Sequence, residues 1–262
     1  MGRRDLKGRR ILLTGASSGI GRALALQLAR QHTHLMLVAR REQPLIELAG
    51  TLRDMGAASA ASIVGDVTDP ALRMRAVDEV RDQLGGLDVL VNNAGISAHG
   101  RFSASTAETL RAIMEVNFFA AVELTRLTLP LLAAARDGVV VNIGSILGHR
   151  GLPHNNEYCA SKFALRGWSE AVRAEFDKVG IGMLMVSPGT TETEFFDHLI
   201  ARAGSTPWRK QRGIPPEKVA RQIVQALERR KHESYPNWRG RLLVLLNRVC
   251  PGLVSRAMRR YG

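Results

Sequence analysis

The chain has 262 residues, 45% of them hydrophobic, with a formal net charge of +13. That length suits one α/β unit, and no Pro/Ser linker, repeat or low-complexity tract divides it. The charge sits at the ends, +4 in residues 1–10 and +8 in residues 229–262, which leaves +1 between them and gives no indication of a basic nucleic-acid-binding body. Cys159 and Cys250 supply neither a disulfide framework nor a zinc pattern, so a reducing compartment and no metal site are expected.

In chain order, Arg10-Ile11-Leu12-Leu13 reads as a buried strand. It leads into Thr14-Gly15-Ala16-Ser17-Ser18-Gly19-Ile20-Gly21 and an amphipathic helix reaching Arg30. A strand, a Gly-rich turn and a helix start build an anion site. The glycines allow a tight turn and close approach of a ligand, and unpaired N–H groups at the helix start suit a pyrophosphate. The spacing is G-x3-G-x-G rather than G-x-G-x-x-G. Apolar runs at 35–38, 61–64, 87–91, 139–143 and 181–186 predict further strands separated by helices. The alternation predicts a single-domain α/β fold, a doubly wound parallel sheet over residues 1–236, with residues 237–262 a helical extension packed on it. Ligands of such sheets bind beyond the carboxyl ends of the strands.

Between the fifth and sixth strands, Tyr158 and Lys162 stand four residues apart, on one face of a helix. A free phenol ionises near pH ~10, and a cation held close favours the phenolate. The pair therefore predicts a phenol tuned downward to serve as general acid or base. His149 and His154 precede it and border the expected substrate position, where each reads as an ordinary polar residue.

The order and intervals of the motifs resemble the short-chain dehydrogenase/reductase family from about residue 6 to about residue 230. The resemblance rests on Thr14-Gly15 through Gly21, Gly65-Asp66-Val67, Asn92-Asn93-Ala94-Gly95, Asn117, Ser145, and Tyr158 with Lys162, closing on Pro188-Gly189-Thr190-Thr191-Glu192-Thr193. It implies a Rossmann fold and hydride transfer between a nicotinamide and a carbon bearing oxygen. It implies a catalytic tetrad: Tyr158 exchanges the proton, Ser145 holds the substrate oxygen, Lys162 tunes Tyr158 and holds the nicotinamide ribose, and Asn117 orders a water leading to solvent. For the cofactor it implies Thr14, Gly15, Ser17, Ser18, Gly19, Ile20 and Gly21 in the phosphate turn, with Thr193 near the pyrophosphate. Asp66 and Val67 are implied at the adenine, Asn93, Ala94 and Gly95 at its ribose, and Pro188, Gly189 and Thr191 near the carboxamide. Ala39 stands where family members selecting NAD place a carboxylate, and Arg40 follows with Arg41 beside it. A guanidinium there suits a 2′-phosphate, so NADP(H) is favoured over NAD(H).

The C-terminal tail holds Leu242-Leu243-Val244-Leu245-Leu246 and then Val249-Cys250-Pro251-Gly252-Leu253-Val254, bracketed by arginines. It departs from the commonest family ending, a strand with a Gly-rich close, and resembles a subgroup with a basic, leucine-rich extension. The apolar run falls short of the ~20 residues that span a bilayer. Two readings stay open: the tail packs on the domain or a sister subunit, covering the substrate cleft, or it lies in an anionic membrane surface. No secretory signal or myristoylation pattern is read at the start, so a cytoplasmic protein with peripheral membrane contact is expected. The expected activity is that of an NADP(H)-dependent, homo-oligomeric oxidoreductase on a lipophilic small-molecule carbonyl or alcohol, with no nucleic-acid partner. The competing reading is a noncatalytic NADP-binding protein that docks through its basic tail. Residues 190–215, with Phe195, Phe196, Gly204 and Pro207, are read as a substrate lid.

Overall fold

Strands covered on both faces are near-continuous apolar runs, and the chain forms such strands where those runs fall. The computed structural model describes residues 2–203 and 213–259, so Gly204 and Pro207 of the expected lid lie outside the described residues, as does the end of the tail. In chain order, β1 (Arg10–Thr14), α1 (Gly19–Ala29), β2 (His34–Ala39), α2 (Glu42–Asp54) and β3 (Ser59–Val64) make the first half. After α3 (Pro70–Leu84) and β4 (Val89–Asn92) comes one long helical stretch, α4 (Ala107–Met114) and α5 (Ala120–Ala134) joined by a π-helical turn at Glu115–Phe119. Then follow β5 (Val139–Ile143), α6 (Asn156–Lys178), β6 (Gly182–Val186), α7 (Pro216–Glu228), β7 (Glu233–Ser234), α8 (Trp238–Val249) and α9 (Pro251–Met258).

The sheet is parallel throughout, in the order β3-β2-β1-β4-β5-β6-β7. Side chains alternate across it. Ile11 and Leu13 face a core closed by Leu24 and Leu28 of α1, Leu45 and Leu52 of α2, and Ile223 and Leu227 of α7. Leu12 faces the opposite core, with Leu72 and Val80 of α3, Leu124 and Leu132 of α5, and Phe176 of α6. The chain winds outward from β1 to β3 and resumes at β4 on the other side of β1, so a crevice opens at the carboxyl ends of β1 and β4. The strand β7 was not read from the sequence; its two residues pair with Met185 and Val186 and carry too few positions to show a period. A short seventh strand therefore does precede the helical extension.

Part of the N-terminal positive charge is consumed inside the fold. Arg4, 6% exposed, donates to both carboxylate oxygens of Asp137 at 2.9 Å, and Arg230 reaches the same group at 2.7 Å. Arg10 pairs with Asp88 at 2.8 Å. Burial works to raise both carboxyls, but the hydrogen bonds and charge of these arginines hold each below its ordinary value. The stretch Ala107–Ala134 is long and apolar enough to cross a membrane by length and composition, and here it lies along the sheet with Ala120, Leu124 and Leu132 in the core.

Candidate active site

A cleft of about 550 Å³ lies beyond the carboxyl ends of the strands. At its nucleotide end, Gly15 has φ +66°, and a Cβ there would sit 2.8 Å from the Ala94 backbone, so the turn needs glycine for both conformation and contact. Ser18 precedes α1 in extended conformation without a side-chain cap, and the first-turn N–H groups of α1 lack intrahelical acceptors. Such a cradle fits a pyrophosphate. Ser17, Ser18, Gly19, Ile20, Ala94, Gly95 and Thr193 line the cleft with it.

Two residues expected to touch a ligand stand behind this wall. Thr14 is buried, and its hydroxyl accepts from the Asn93 and Ala94 N–H groups at 3.0 and 3.1 Å while donating to the Val91 carbonyl. A Cβ on Gly21 would fall 2.2 Å from the Gly15 oxygen and 2.5 Å from Asn93 Nδ2. Gly21 thus serves packing of helix on turn rather than approach to a ligand. Asn93 lines the cleft while its amide donates to the Thr14 and Gly15 carbonyls, both at 3.0 Å.

Asp66 and Val67 follow β3 into the cleft. Asp66 holds its own turn, accepting from the Thr68 N–H and hydroxyl at 2.9 Å each, while its other oxygen lies 3.7 Å from Arg40. Arg41 donates to the Ser17 carbonyl at 3.3 Å and to Glu194 at 3.2 Å across the cleft. Both arginines are at the cleft edge, and both already face a carboxylate.

At the other end, Ser145 lies two residues beyond β5 and its Oγ accepts from the Leu147 N–H at 3.1 Å. The same residue acts on the Tyr158 phenol, favouring its ionised form. The first two turns of α6 bring Tyr158 and Lys162 to one side of the cleft, with Nζ 5.7 Å from the ring centroid. Lys162, 4% exposed, donates to the Ile143 carbonyl at 2.9 Å rather than to the phenol. Burial pushes Tyr158 up to about 12 against the opposing effect of Ser145, and burial brings Lys162 down to about 8. The phenol is thus shifted upward rather than downward, and burial sets that direction.

Asn117 sits in the π-helical turn, a distortion that recurs at functional sites. Its side chain does not line the cleft: Oδ1 accepts from the Ile96 N–H at 2.8 Å, and Nδ2 donates to the Ile96 carbonyl and Ser161 Oγ, both at 2.9 Å. It fastens the loop after β4 to α6 beside Lys162. Pro188, Gly189 and Thr191 line the cleft after β6. The two histidines do not border it. His149 is buried, bonded to Ser187 at 2.9 Å and packed on Tyr235, and burial, aided by the Arg166 charge, lowers it to about 4. His154 stacks on His99 at 5.7 Å.

Arg150 and Met258, which line the cleft, were not singled out in the sequence, whereas Glu194 and His198 fall within the segment read as a lid and Leu243 within the tail. Helix α8 packs so closely on the turn after β5 that a Cβ on Gly240 would fall 2.7 Å from the Ile146 side chain, and Asn247 donates to the His149 carbonyl at 3.2 Å. The inner face of α8 thus lies against the turn after β5. Its outer face leaves Trp238 (70%), Leu242, Leu245, Leu246, Val249 (71%) and Leu253 exposed. Among the described residues, no group of three His, Cys, Asp or Glu side chains is placed to hold a metal.

Residues 9–203 match the family model for short chain dehydrogenase. The chain is 32% identical over 264 residues to the ketoacyl reductase HetN of Nostoc sp., covering 98% of this chain and 90% of that protein. It is 33% identical over 261 residues to hydroxysteroid 11-beta-dehydrogenase 1-like protein A of Xenopus laevis, covering 98% and 88%. A short-chain dehydrogenase/reductase from Burkholderia phymatum in complex with NAD shares the fold with a TM-score of 0.85 over 94% of each chain, at 24% identity. An alcohol dehydrogenase from Thermococcus sibiricus complexed with 5-hydroxy-NADP has a TM-score of 0.78 at 25% identity, covering 87% of this chain and 96% of that one.

Proposed function

The chain belongs to the short-chain dehydrogenase/reductase family of oxidoreductases acting on CH–OH and C=O groups, and from that premise we propose an NADP(H)-dependent reductase of lipophilic carbonyl compounds with Tyr158 as general acid. The observation that carries this reading is the gathering of Ser145, Tyr158 and Lys162 in the cleft that the Gly-rich turn opens. A nicotinamide supplies or accepts the hydride when bound. The protein's part is to hold and move a proton. Tyr158 stays protonated well above neutral pH and so is charged to donate to a carbonyl oxygen at any ordinary pH. Ser145 Oγ, beside it, donates to the same oxygen as negative charge develops there. Lys162 holds a positive charge beneath the phenol at neutral pH, which stabilises the phenolate left by the transfer.

Support for a lipophilic substrate comes from Ile146, Leu147, Leu152, Phe195, Leu243 and Met258, which line the cleft with few charges among them. Arg40 and Arg41 at the nucleotide end support NADP(H). The test is oxidation of NADPH and NADH by purified protein across lipophilic aldehydes and ketones, with Tyr158→Phe beside it. Turnover with NADPH that vanishes in the variant is expected; equal turnover of both cofactors counts against the cofactor choice, and undiminished turnover of the variant against the proton role.

A membrane role for the tail is the second part of the proposal, favoured by one observation. Trp238, Leu242, Leu245 and Val249 form a single exposed stripe on α8, edged by Arg239, Arg241 and Arg248, an arrangement suited to an anionic lipid surface. Self-association is proposed through the exposed Phe119, Leu127 and Phe163 on the adjoining faces of the π-helical turn, α5 and α6. The chain's family membership and complete tetrad disfavour the noncatalytic alternative.

A further inference from the structure

We propose that Glu194 governs cofactor choice by competing with the cofactor's 2′-phosphate for Arg41; this rests on the reading that Arg40 and Arg41 receive that phosphate. Arg41 stands just before α2, and three of its donors are engaged. Nε and one terminal nitrogen reach Ser17 Oγ and the Ser17 carbonyl at 3.4 and 3.3 Å, and the other terminal nitrogen reaches Glu194 Oε2 at 3.2 Å. Ser17 belongs to the phosphate turn, whereas Glu194 comes from the opposite wall, 153 residues later in the chain. An ion pair thus crosses the nucleotide end of the cleft where a phosphate on the adenosine ribose would have to enter.

The pair is weak enough to be displaced. Both side chains are about half exposed, at 43% and 58%, and His198 Nε2 lies 3.8 Å from the same carboxylate. An exposed pair of this kind shifts an equilibrium by up to about fivefold. A phosphate monoester carries more charge than a carboxylate and matches the guanidinium fork. NADP(H) therefore takes Arg41 from Glu194 and binds against the repulsion of the freed carboxylate, and NAD(H), with no 2′-phosphate, meets neither term. Arg40, whose nearest carboxylate is Asp66 at 3.7 Å, remains as the second phosphate contact.

The displaced group is part of the lid. Glu194 opens the short 3-10 turn Glu194–Phe196, whose Phe195 ring lies edge-on to Tyr158 with centroids 5.8 Å apart. One arginine thus links the nucleotide end to the side chain that covers the proton donor.

The experiment is a titration of the full-length protein with NADPH and with NADH, followed by nicotinamide fluorescence, for wild type, Glu194→Gln, Arg41→Gln and the double variant. Glu194→Gln is expected to tighten NADPH by about 3–10-fold and leave NADH within about twofold. The gain is expected to shrink in high salt and to disappear in the Arg41→Gln background. An unchanged or weakened NADPH affinity in Glu194→Gln, alongside loss of NADPH preference in Arg41→Gln, overturns the role of Glu194 and leaves the phosphate reading standing. A gain that persists without Arg41 overturns the competition. NADPH preference surviving both Arg41→Gln and Arg40→Asp takes down the phosphate reading itself.

Discussion

At Tyr158 two environmental effects oppose each other, and burial wins: the phenol rises to about 12 while its partner ammonium, Lys162, falls to about 8. Desolvation disfavours whichever form is charged, so it moves an acid up and a base down. On the proposed mechanism the donor never runs out of protons in the ordinary range, and the titrating group is Lys162. Its charge is present below about pH 8 and lost above it. The rate of carbonyl reduction is therefore expected to be level below that pH and to fall above it, and Lys162→Arg, which does not titrate there, is expected to remove the alkaline limb at a lower maximum rate. The profile of kcat/KM against pH checks both. Tyr158→Phe is expected to lower kcat/KM by about 10²–10⁴-fold with NADPH affinity within about twofold, read by turnover and by cofactor titration.

At the scale of elements, the join between β1, its turn and α1 depends on an absent methyl. Gly21→Ala would press a Cβ against the Gly15 carbonyl, which is backbone and cannot rotate away. Overpacking of this kind costs about 1–3 kcal/mol. The variant is expected to lose about that much in urea unfolding and to bind both cofactors more weakly, since the phosphate turn itself shifts. A second join, between the turn after β5 and the ends of β6 and β7, is held by His149 on Ser187 and Tyr235. His149 is lowered to about 4 in the fold, against 6.5 in an open chain. The unfolded chain thus binds the proton first, so this contribution is whole above about pH 6.5 and is lost as pH falls towards 4. Thermal midpoints are expected to fall over that window, and less steeply in His149→Gln, which keeps a polar group near Nε2.

For the whole molecule, the tail has two faces in different surroundings, one against the domain and one exposed. Its inner face meets Ile146 and contributes Leu243 and Met258 to the cleft, but among the described residues none beyond Leu227 belongs to the main core clusters. Deleting residues 238–262 is therefore expected to leave the sheet folded, by circular dichroism, while opening the substrate end of the cleft. If the outer stripe meets lipid, the deletion also abolishes cosedimentation with anionic vesicles, and added salt weakens that of the full chain. Unfolding of the shortened chain would instead assign the tail to structure. The +4 and +8 of the chain ends overstate the unpaired basic surface there, because Arg4, Arg10 and Arg230 are paired with Asp88 and Asp137 from the middle of the chain.

What the sequence determined by itself was whatever repeats at short range. Five apolar runs after the first became strands at the expected places, the turn from Gly15 to Gly19 formed a cradle, and the four-residue interval put Tyr158 and Lys162 on one side of α6. These follow from local periodicity and backbone stereochemistry, which a linear pattern encodes directly. The two-residue β7 escaped because it holds no period. Only the tertiary structure decided which motif residues reach the cleft and which stand behind it, as Thr14, Gly21 and the Asn117 side chain do. It alone set the direction of the Tyr158 shift, joined Arg41 to Glu194, and carried Leu243 and Met258 to the substrate end. Burial and contact between distant residues are properties of packing, and packing brings together groups whose separation along the chain says nothing of their distance in space.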